Sequence, residues 1–168
     1  MISKSGRTVL SGAPEGYDAR IIVDLVHSNR PVLHIARDDV RIERLRDALR
    51  FFNPELEIIT VPAWDCLPYD RVSPSAALSG LRVSSLIGLA RAKLDKTASP
   101  GRRVILTTVN SIVQRVPSPQ SIAARHAAGA VGDHLASEEL IATLNSLGYH
   151  RVDRVNDPGD YAIRGGIV

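Results

Sequence analysis

VLHIARDDVRIERLRDALRFFNPELEIITV, spanning Val32–Val61, reads as strand, helix, strand. Val32–Ala36 is an apolar run of strand length. Asp38 or Asp39 then offers a carboxylate to the first free amides of a helix. That helix has an apolar face of Val40, Leu45, Leu49 and Phe52 and ends before Asn53-Pro54. Leu56–Val61 follows as another apolar strand, after a helix-long connection of the kind a parallel crossover needs.

The alternation extends in both directions. Upstream, Arg7–Ser11 (RTVLS) predicts a strand that runs into the turn Gly12-Ala13-Pro14-Glu15-Gly16. Tyr17–Ser28 then predicts a helix on Ile21, Ile22, Leu25 and Val26, stopped by Asn29-Arg30-Pro31. Downstream of Pro62, AWDCLPYDRVSPS is an ordered loop whose aromatics suggest packing. Ala76–Leu94 predicts a long helix on Leu78, Leu81, Leu86 and Leu89, Asp95–Gly101 a polar loop, and Arg103–Thr108 a fourth strand. Apolar strands alternating with helices predict an α/β fold, a parallel sheet covered on both faces.

The pattern breaks at Pro117-Ser118-Pro119, which places a domain boundary near Val116 and gives domains 1–116 and 117–168. In the second, Ser121–Ala130 suits strand or loop. Ser137 with Glu138 and Glu139 opens a helix, Glu138–Leu147, closed by Gly148. YHRVDRV and YAIRGGIV, separated by Asn156-Asp157-Pro158-Gly159, are alternating runs with a hairpin-like gap, so the second domain is a small α+β unit. The run ending at Val168 has no closing signal, which predicts a fragment of something longer.

Composition narrows the class. The 168 residues are 44% hydrophobic and 23% charged, as in folded globular domains, which excludes disorder and collagen-like repeats. The net charge of +3 permits contact with nucleic acid without requiring it. Cys66 has no second thiol to pair with, and the five histidines show no metal-binding spacing. Stretches such as Val83–Ala90 fall far short of the roughly 20 apolar residues that cross a bilayer. Met1–Ala13 lacks a signal-peptide core, so the expected location is the cytoplasm.

Between the first strand and first helix, P-loop proteins hold phosphate on converging backbone amides. Laid against GxxxxGK followed by Ser or Thr from Gly12, the second glycine falls on Tyr17, the lysine on Asp18 and the magnesium-binding hydroxyl on Ala19. An aspartate in place of the lysine replaces attraction by repulsion. Glu15 adds negative charge, and Pro14 removes a donor. Gly12, Gly16, Asp18 and Ala19 thus form a vestigial nucleotide loop or an ordinary strand-to-helix turn.

Four motifs occur in order: Trp64-Asp65-Cys66-Leu67-Pro68-Tyr69-Asp70 with Ser73-Pro74-Ser75; Gln114-Arg115-Val116-Pro117; Gly148–Val155; and Gly159–Val168. With this spacing the chain resembles the N-terminal region of the bacterial transcription-repair coupling factor (Mfd) family, over nearly its whole length. That region is similar to the excision-repair protein UvrB. The resemblance implies a RecA-like first domain with a degenerate P-loop, then a small second domain that binds UvrA and recruits it to stalled transcription complexes. It implies Arg151 and Arg164 as basic contacts to an acidic patch on UvrA, with Tyr149, Asp153 and Tyr161 beside them. UvrB-like sequences carry a further arginine where this chain has Ala162. The fragment itself is expected to be non-catalytic, without cofactor or metal. ATP, Mg²⁺, DNA and RNA polymerase would be engaged by other parts of the longer protein.

From residues alone, rival readings stay open. The first domain could belong to an ATP-dependent helicase or translocase that still binds nucleotide. Trp64 and Tyr69, or the basic stretch Arg91, Lys93, Lys96, Arg102 and Arg103, could touch nucleic acid. Packing for the aromatics and a solvated helix end for the basic stretch are the plainer meanings. Asp65 and Asp70 have no partner base nearby, and Ser84-Ser85 lies on a helix without a nucleophile elbow.

Overall fold

The computed structural model describes residues 6–67, 69–94, 103–124, 126 and 129–168. The polar loop at Asp95–Gly101, with Lys96 and Arg102, lies outside the described residues, as do Pro68, Arg125, Ala127 and Ala128. The elements run α1 (Tyr17–His27), β1 (Val32–Ala36), α2 (Asp39–Phe52), β2 (Glu57–Val61), α3 (Ala76–Leu94), β3 (Arg103–Thr108), α4 (Val109–Ile112), α5 (Pro119–Ala123), α6 (Ser137–Ser146), β4 (His150–Arg151) and β5 (Asp160–Tyr161). They form two compact units, Met1–Trp64 with Ala92–Val116, and Asp65–Arg91 with Pro117–Val168.

The first unit is α/β. Its three strands are parallel in the order β1-β3-β2, with Val32 opposite Val104 and Ile58 also opposite Val104. The most buried strand, β3, takes the centre, where both of its edges find hydrogen-bond partners. Asp38 proves to be the cap of α2, accepting from the Arg41 amide at 2.9 Å. That bond, followed by the Arg37 side chain, holds its carboxyl below the usual aspartate range. Ala19, Ile22, Val23 and Val26 of α1 and Ile42, Leu45 and Leu49 of α2 close over Val104 and Leu106. Below the sheet ends, Thr107 and Ser111 donate hydroxyl hydrogen bonds to the Val61 and Pro62 carbonyls at 3.0 and 3.1 Å.

Three expectations for this unit are corrected. Arg7–Ser11 is no strand: it joins no ladder, and its residues are exposed. Two apolar side chains, Val9 and Leu10, with no buried strand edge to join, do not offset the entropy of ordering a strand. The buried face of α2 is Ile42, Leu45 and Leu49, while Val40 is 63% exposed and Phe52 is exposed as well. Cover on both faces of the sheet is not found at β1, where Leu33 is 51% exposed and Ile35 is likewise open. Both side chains alternate away from the face on which α1 and α2 pack.

His34, half-buried on β1, is held below the ordinary histidine value of 6.5, chiefly because burial disfavours the imidazolium; Asp18 opposes this and Arg41 reinforces it. The unfolded chain therefore takes up the proton more readily than the folded one. This contribution to stability is complete above pH 6.5 and declines as pH falls below it toward the folded value. Urea titrations of the wild type and His34→Gln between pH 8 and 5 are expected to show a loss in the wild type that the variant lacks. Parallel curves would remove the assignment.

Helix α3 has the predicted bounds but a different face. Leu78, Leu86 and Leu89 are half-buried, whereas Leu81 is exposed and Arg82 is only 1% accessible. Positions 78, 82, 86 and 90 form one stripe, and the long stem of Arg82 lets a charged residue occupy it. Burial pulls the guanidinium pKa down.

In the second unit, Ser118 caps the five-residue α5 through the Ser121 amide at 3.2 Å, so part of Ser121–Ala130 is helical rather than strand or loop. Ala136 caps α6 through backbone alone, with Ser137 its first helical residue. Gly148 ends α6 at φ 86°, with its amide on Asn145 O at 3.1 Å and the Tyr149 amide on Leu144 O at 3.0 Å. This left-handed turn satisfies two end carbonyls and swings Tyr149 back beside Leu144. The two runs that follow do not form a hairpin. β4 and β5 pair in parallel, His150 with Asp160 and Arg151 with Tyr161. The tight antiparallel turn lies further on, at Arg164 to Ile167 around Gly165, φ 61°. The Asn156–Gly159 segment is too long for a two-residue turn. It closes locally instead, through the Asp160 amide on Asp157 O at 3.1 Å.

Candidate functional site

Two places in the fold were marked by the sequence. The first is the loop before α1. Gly12 and Gly16 have φ 71° and 84°, conformations that glycine adopts freely, and Gly16 is the N-cap of α1 without a side-chain cap. Amides that a phosphate would use are engaged already. The Tyr17 N–H goes to Pro14 O at 3.1 Å and the Ala19 N–H to Asp18 Oδ1 at 3.0 Å. The acidic side chains are neutralised from α2: Arg41 Nη2 meets Asp18 at 3.3 Å, and Arg44 Nη1 meets Glu15 at 3.2 Å. Ala19 is fully buried in the core, so the position assigned to a magnesium-binding hydroxyl faces protein. With no strand feeding it, this loop is a satisfied helix start, and it lacks the geometry of a phosphate cradle.

The second place is built by α6, β4, β5 and the terminal turn. Here the fold brings together all five residues expected at a partner surface. Tyr161 is the anchor: only 6% exposed, it donates its hydroxyl to Asn145 Oδ1 on α6 at 2.9 Å. Its ring is therefore a support for the surface. Tyr149, on the turn from α6, is partly exposed. Arg151 is exposed on β4, where it pairs with Tyr161, and Asp153 follows it in the loop.

Arg164 is exposed and donates one long hydrogen bond, 3.4 Å, from Nη2 to the Asp153 carbonyl oxygen. Arg151, Arg154 and Arg164 form no ion pair among the described residues. All three arginines are exposed, and Arg164 keeps donors beyond the one given to Asp153 that can meet carboxylates.

Beneath Arg164 lies a groove of about 590 Å³ lined by Leu140 and Leu144 of α6 with Tyr149, Val155, Ile167 and Val168. Sequence reasoning missed this feature. Leu140 and Leu144 are four apart on one helix face, and no later run was assigned to cover them; that was the available signal.

The other candidates are held in local contacts. Asp65 accepts from Ser75, whose hydroxyl and amide hold its carboxyl below the usual range, so it pins the loop before α3. Asp70 accepts from the Leu67 amide at 2.7 Å, closing a turn. The Trp64 amide donates to Gln114 Oε1 at 3.3 Å, while Tyr69 is fully exposed. Arg103 pairs with Glu57 at 3.0 Å. Among the described residues no cluster of three or more metal-ligating side chains occurs, and no helix is long and apolar enough to cross a membrane.

Comparison with known proteins bears on the second place. The family described as UvrB interaction domain matches residues 129–168, the stretch that contains α6, the ladder and the groove. Over longer spans the chain is similar to proteins named transcription-repair-coupling factor. That of Escherichia coli (strain K12) is 33% identical over 139 residues, 82% of this chain and 11% of the relative. That of Haemophilus influenzae is 27% identical over 161 residues, 95% and 13%. That of Mycobacterium tuberculosis (strain CDC 1551 / Oshkosh) is 34% identical over 111 residues, 66% and 9%. The chain spans about a tenth of the length of these relatives. With matches of one name covering most of its residues, and a UvrB interaction domain match on the unit that carries the exposed arginines, the chain is similar over most of its length to part of the proteins named transcription-repair-coupling factor.

Proposed function

We propose that this chain is a non-catalytic docking module that binds UvrA and thereby recruits excision-repair machinery to stalled transcription complexes. The observation that carries this reading is the coincidence of the UvrB interaction domain match with three arginines that have no ion pair among the described residues. Exposed arginines without an ion pair inside their own domain are suited to carboxylates of a partner, because arginine pairs them in a planar, two-pronged geometry. Arg164 and Arg151 make those contacts; Tyr161 holds β5 against α6. Engagement of RNA polymerase and DNA, and any use of ATP and Mg²⁺, belongs in this reading to other parts of a longer protein.

The first unit is the framework. Its parallel sheet and degenerate first loop support descent from a RecA-like nucleotide-binding domain, and the engaged amides and buried Ala19 support loss of that activity. Calorimetric titration with millimolar ATP is expected to be flat. Saturable binding that responds to changes between Gly12 and Ala19 would instead favour a nucleotide-dependent nucleic-acid protein. Calorimetry with UvrA, using Arg164→Glu as the control, tests docking itself.

A further inference from the structure

We infer that Asn145 is a positioning residue of the docking surface: it ties both strands of the ladder to α6 and so sets where Arg151 and Arg164 stand when a partner binds. This rests on the docking reading above and names what holds that site in its binding arrangement. Two acceptors on the one residue make the ties. The Asn145 carbonyl oxygen accepts the Gly148 amide at 3.1 Å, in the turn that leads from α6 into β4. Its side-chain Oδ1 accepts the Tyr161 hydroxyl of β5 at 2.9 Å. Asn145 itself is exposed on α6, whereas the tyrosine it holds is buried.

The arginines depend on these ties through the ladder. β4 and β5 have two residues each, joined by the His150 amide on Gly159 O at 2.8 Å and the Val152 amide on Tyr161 O at 2.9 Å. A two-stranded ladder is marginal in water by itself, so one this short relies on what anchors it. Arg151 pairs with Tyr161 across the ladder, and opposite residues share a face, so the tether on Tyr161 acts directly beside Arg151. Arg164 follows on the chain soon after Tyr161, and its Nη2 reaches back to the Asp153 carbonyl just beyond β4. Loosening the tether populates arrangements in which the partner still meets the unit but without these guanidinium groups in place, and affinity falls with the share of molecules that are correctly arranged.

The test is calorimetry of the 168-residue chain against UvrA, well below the melting midpoint and with circular dichroism to confirm folding. Tyr161→Phe keeps the buried ring and removes only the hydroxyl. Asn145→Ala removes the acceptor, and a water in its place would satisfy the hydroxyl without tying β5 to α6. Each is expected to weaken UvrA binding about three- to tenfold, the population shift that one net hydrogen bond supplies, and the double variant no more than either single one. Arg164→Ala gives the readout that separates positioning from support of the fold. Its cost in affinity should be at least about twofold smaller in the Tyr161→Phe background than in the wild type, because a displaced guanidinium has less contact to lose. If Arg164→Glu eliminates binding while Tyr161→Phe and Asn145→Ala bind like the wild type, the tether does not position the arginines and the inference fails, while the docking reading stands. Losses that simply add, or an equal cost of Arg164→Ala in both backgrounds, would assign the bond to fold stability alone and also overturn it. A folded wild type that does not bind UvrA overturns the docking reading, and the positioning role falls with it.

Discussion

Arg164→Glu is expected to reduce UvrA affinity by at least about a hundredfold, with the far-ultraviolet dichroism and melting midpoint of the chain unchanged. The size follows from two effects in the same direction. Truncating one side of a buried, hydrogen-bonded charge pair costs roughly 2–5 kcal/mol, and reversing the charge adds repulsion. About 2.7 kcal/mol is already a hundredfold. The fold should tolerate the change because Arg164 is exposed and contributes only a 3.4 Å hydrogen bond to the Asp153 carbonyl. The turn it belongs to is closed by backbone bonds between Arg164 and Ile167, at 3.0 and 3.1 Å, which the substitution leaves in place. Retained binding by a folded variant would place the contact elsewhere in the unit, with Arg151 the next residue to reverse.

Leu49→Ala is expected to be the most damaging single truncation in the first unit. Leu49 has no accessible surface and lies among the buried side chains of α1, α2 and β3. A leucine cut to alanine at such a site loses the transfer free energy of its methyl and methylene groups and leaves a void, together about 2–5 kcal/mol. A small domain has roughly 5–15 kcal/mol of total stability, so the variant should melt on the order of 10 °C or more below the wild type. Val40→Ala, on the same helix but exposed, is the control and should change the midpoint by less than about 2 °C. Equal losses at the two positions would mean that the face of α2 is misassigned.

The contrast between Val40 and Leu49 shows where sequence reasoning was sufficient and where it was not. The existence of α2 was legible from Asp38, the recurring leucines and Asn53-Pro54. Its orientation was not, because Val40 and Ile42 are equally apolar and only the position of the sheet decides which turns inward. Helix α3 repeats the lesson: a leucine stripe through Leu81 looked sufficient, yet the packed stripe passes through Arg82. Arg7–Ser11 resembled a strand in composition, but a strand is stabilised by a neighbour, and no neighbour is present for it.

At the candidate site the same division holds. The arginines and tyrosines of the second unit were candidates from their motifs. That Tyr161 supports while Arg164 projects follows from burial and from the Asn145 hydrogen bond, which no pattern along the chain encodes. The groove depends on Leu140 and Ile167 being brought to one place from positions far apart in sequence.

The sequence by itself determined the local elements of this protein: the caps, the stops at Asn53-Pro54 and Gly148, the absence of a P-loop lysine and hydroxyl after Gly12, and the motif order that carries its resemblance. These depend on neighbours a few residues apart, where propensity and capping act. Only the tertiary structure decided the parallel pairing of β4 with β5, the inward face of each helix, the pairing of Glu15 and Asp18 with Arg44 and Arg41, and the apolar groove beneath Arg164. Each of these joins residues distant in the chain, and its free energy exists only once the segments between them have been ordered.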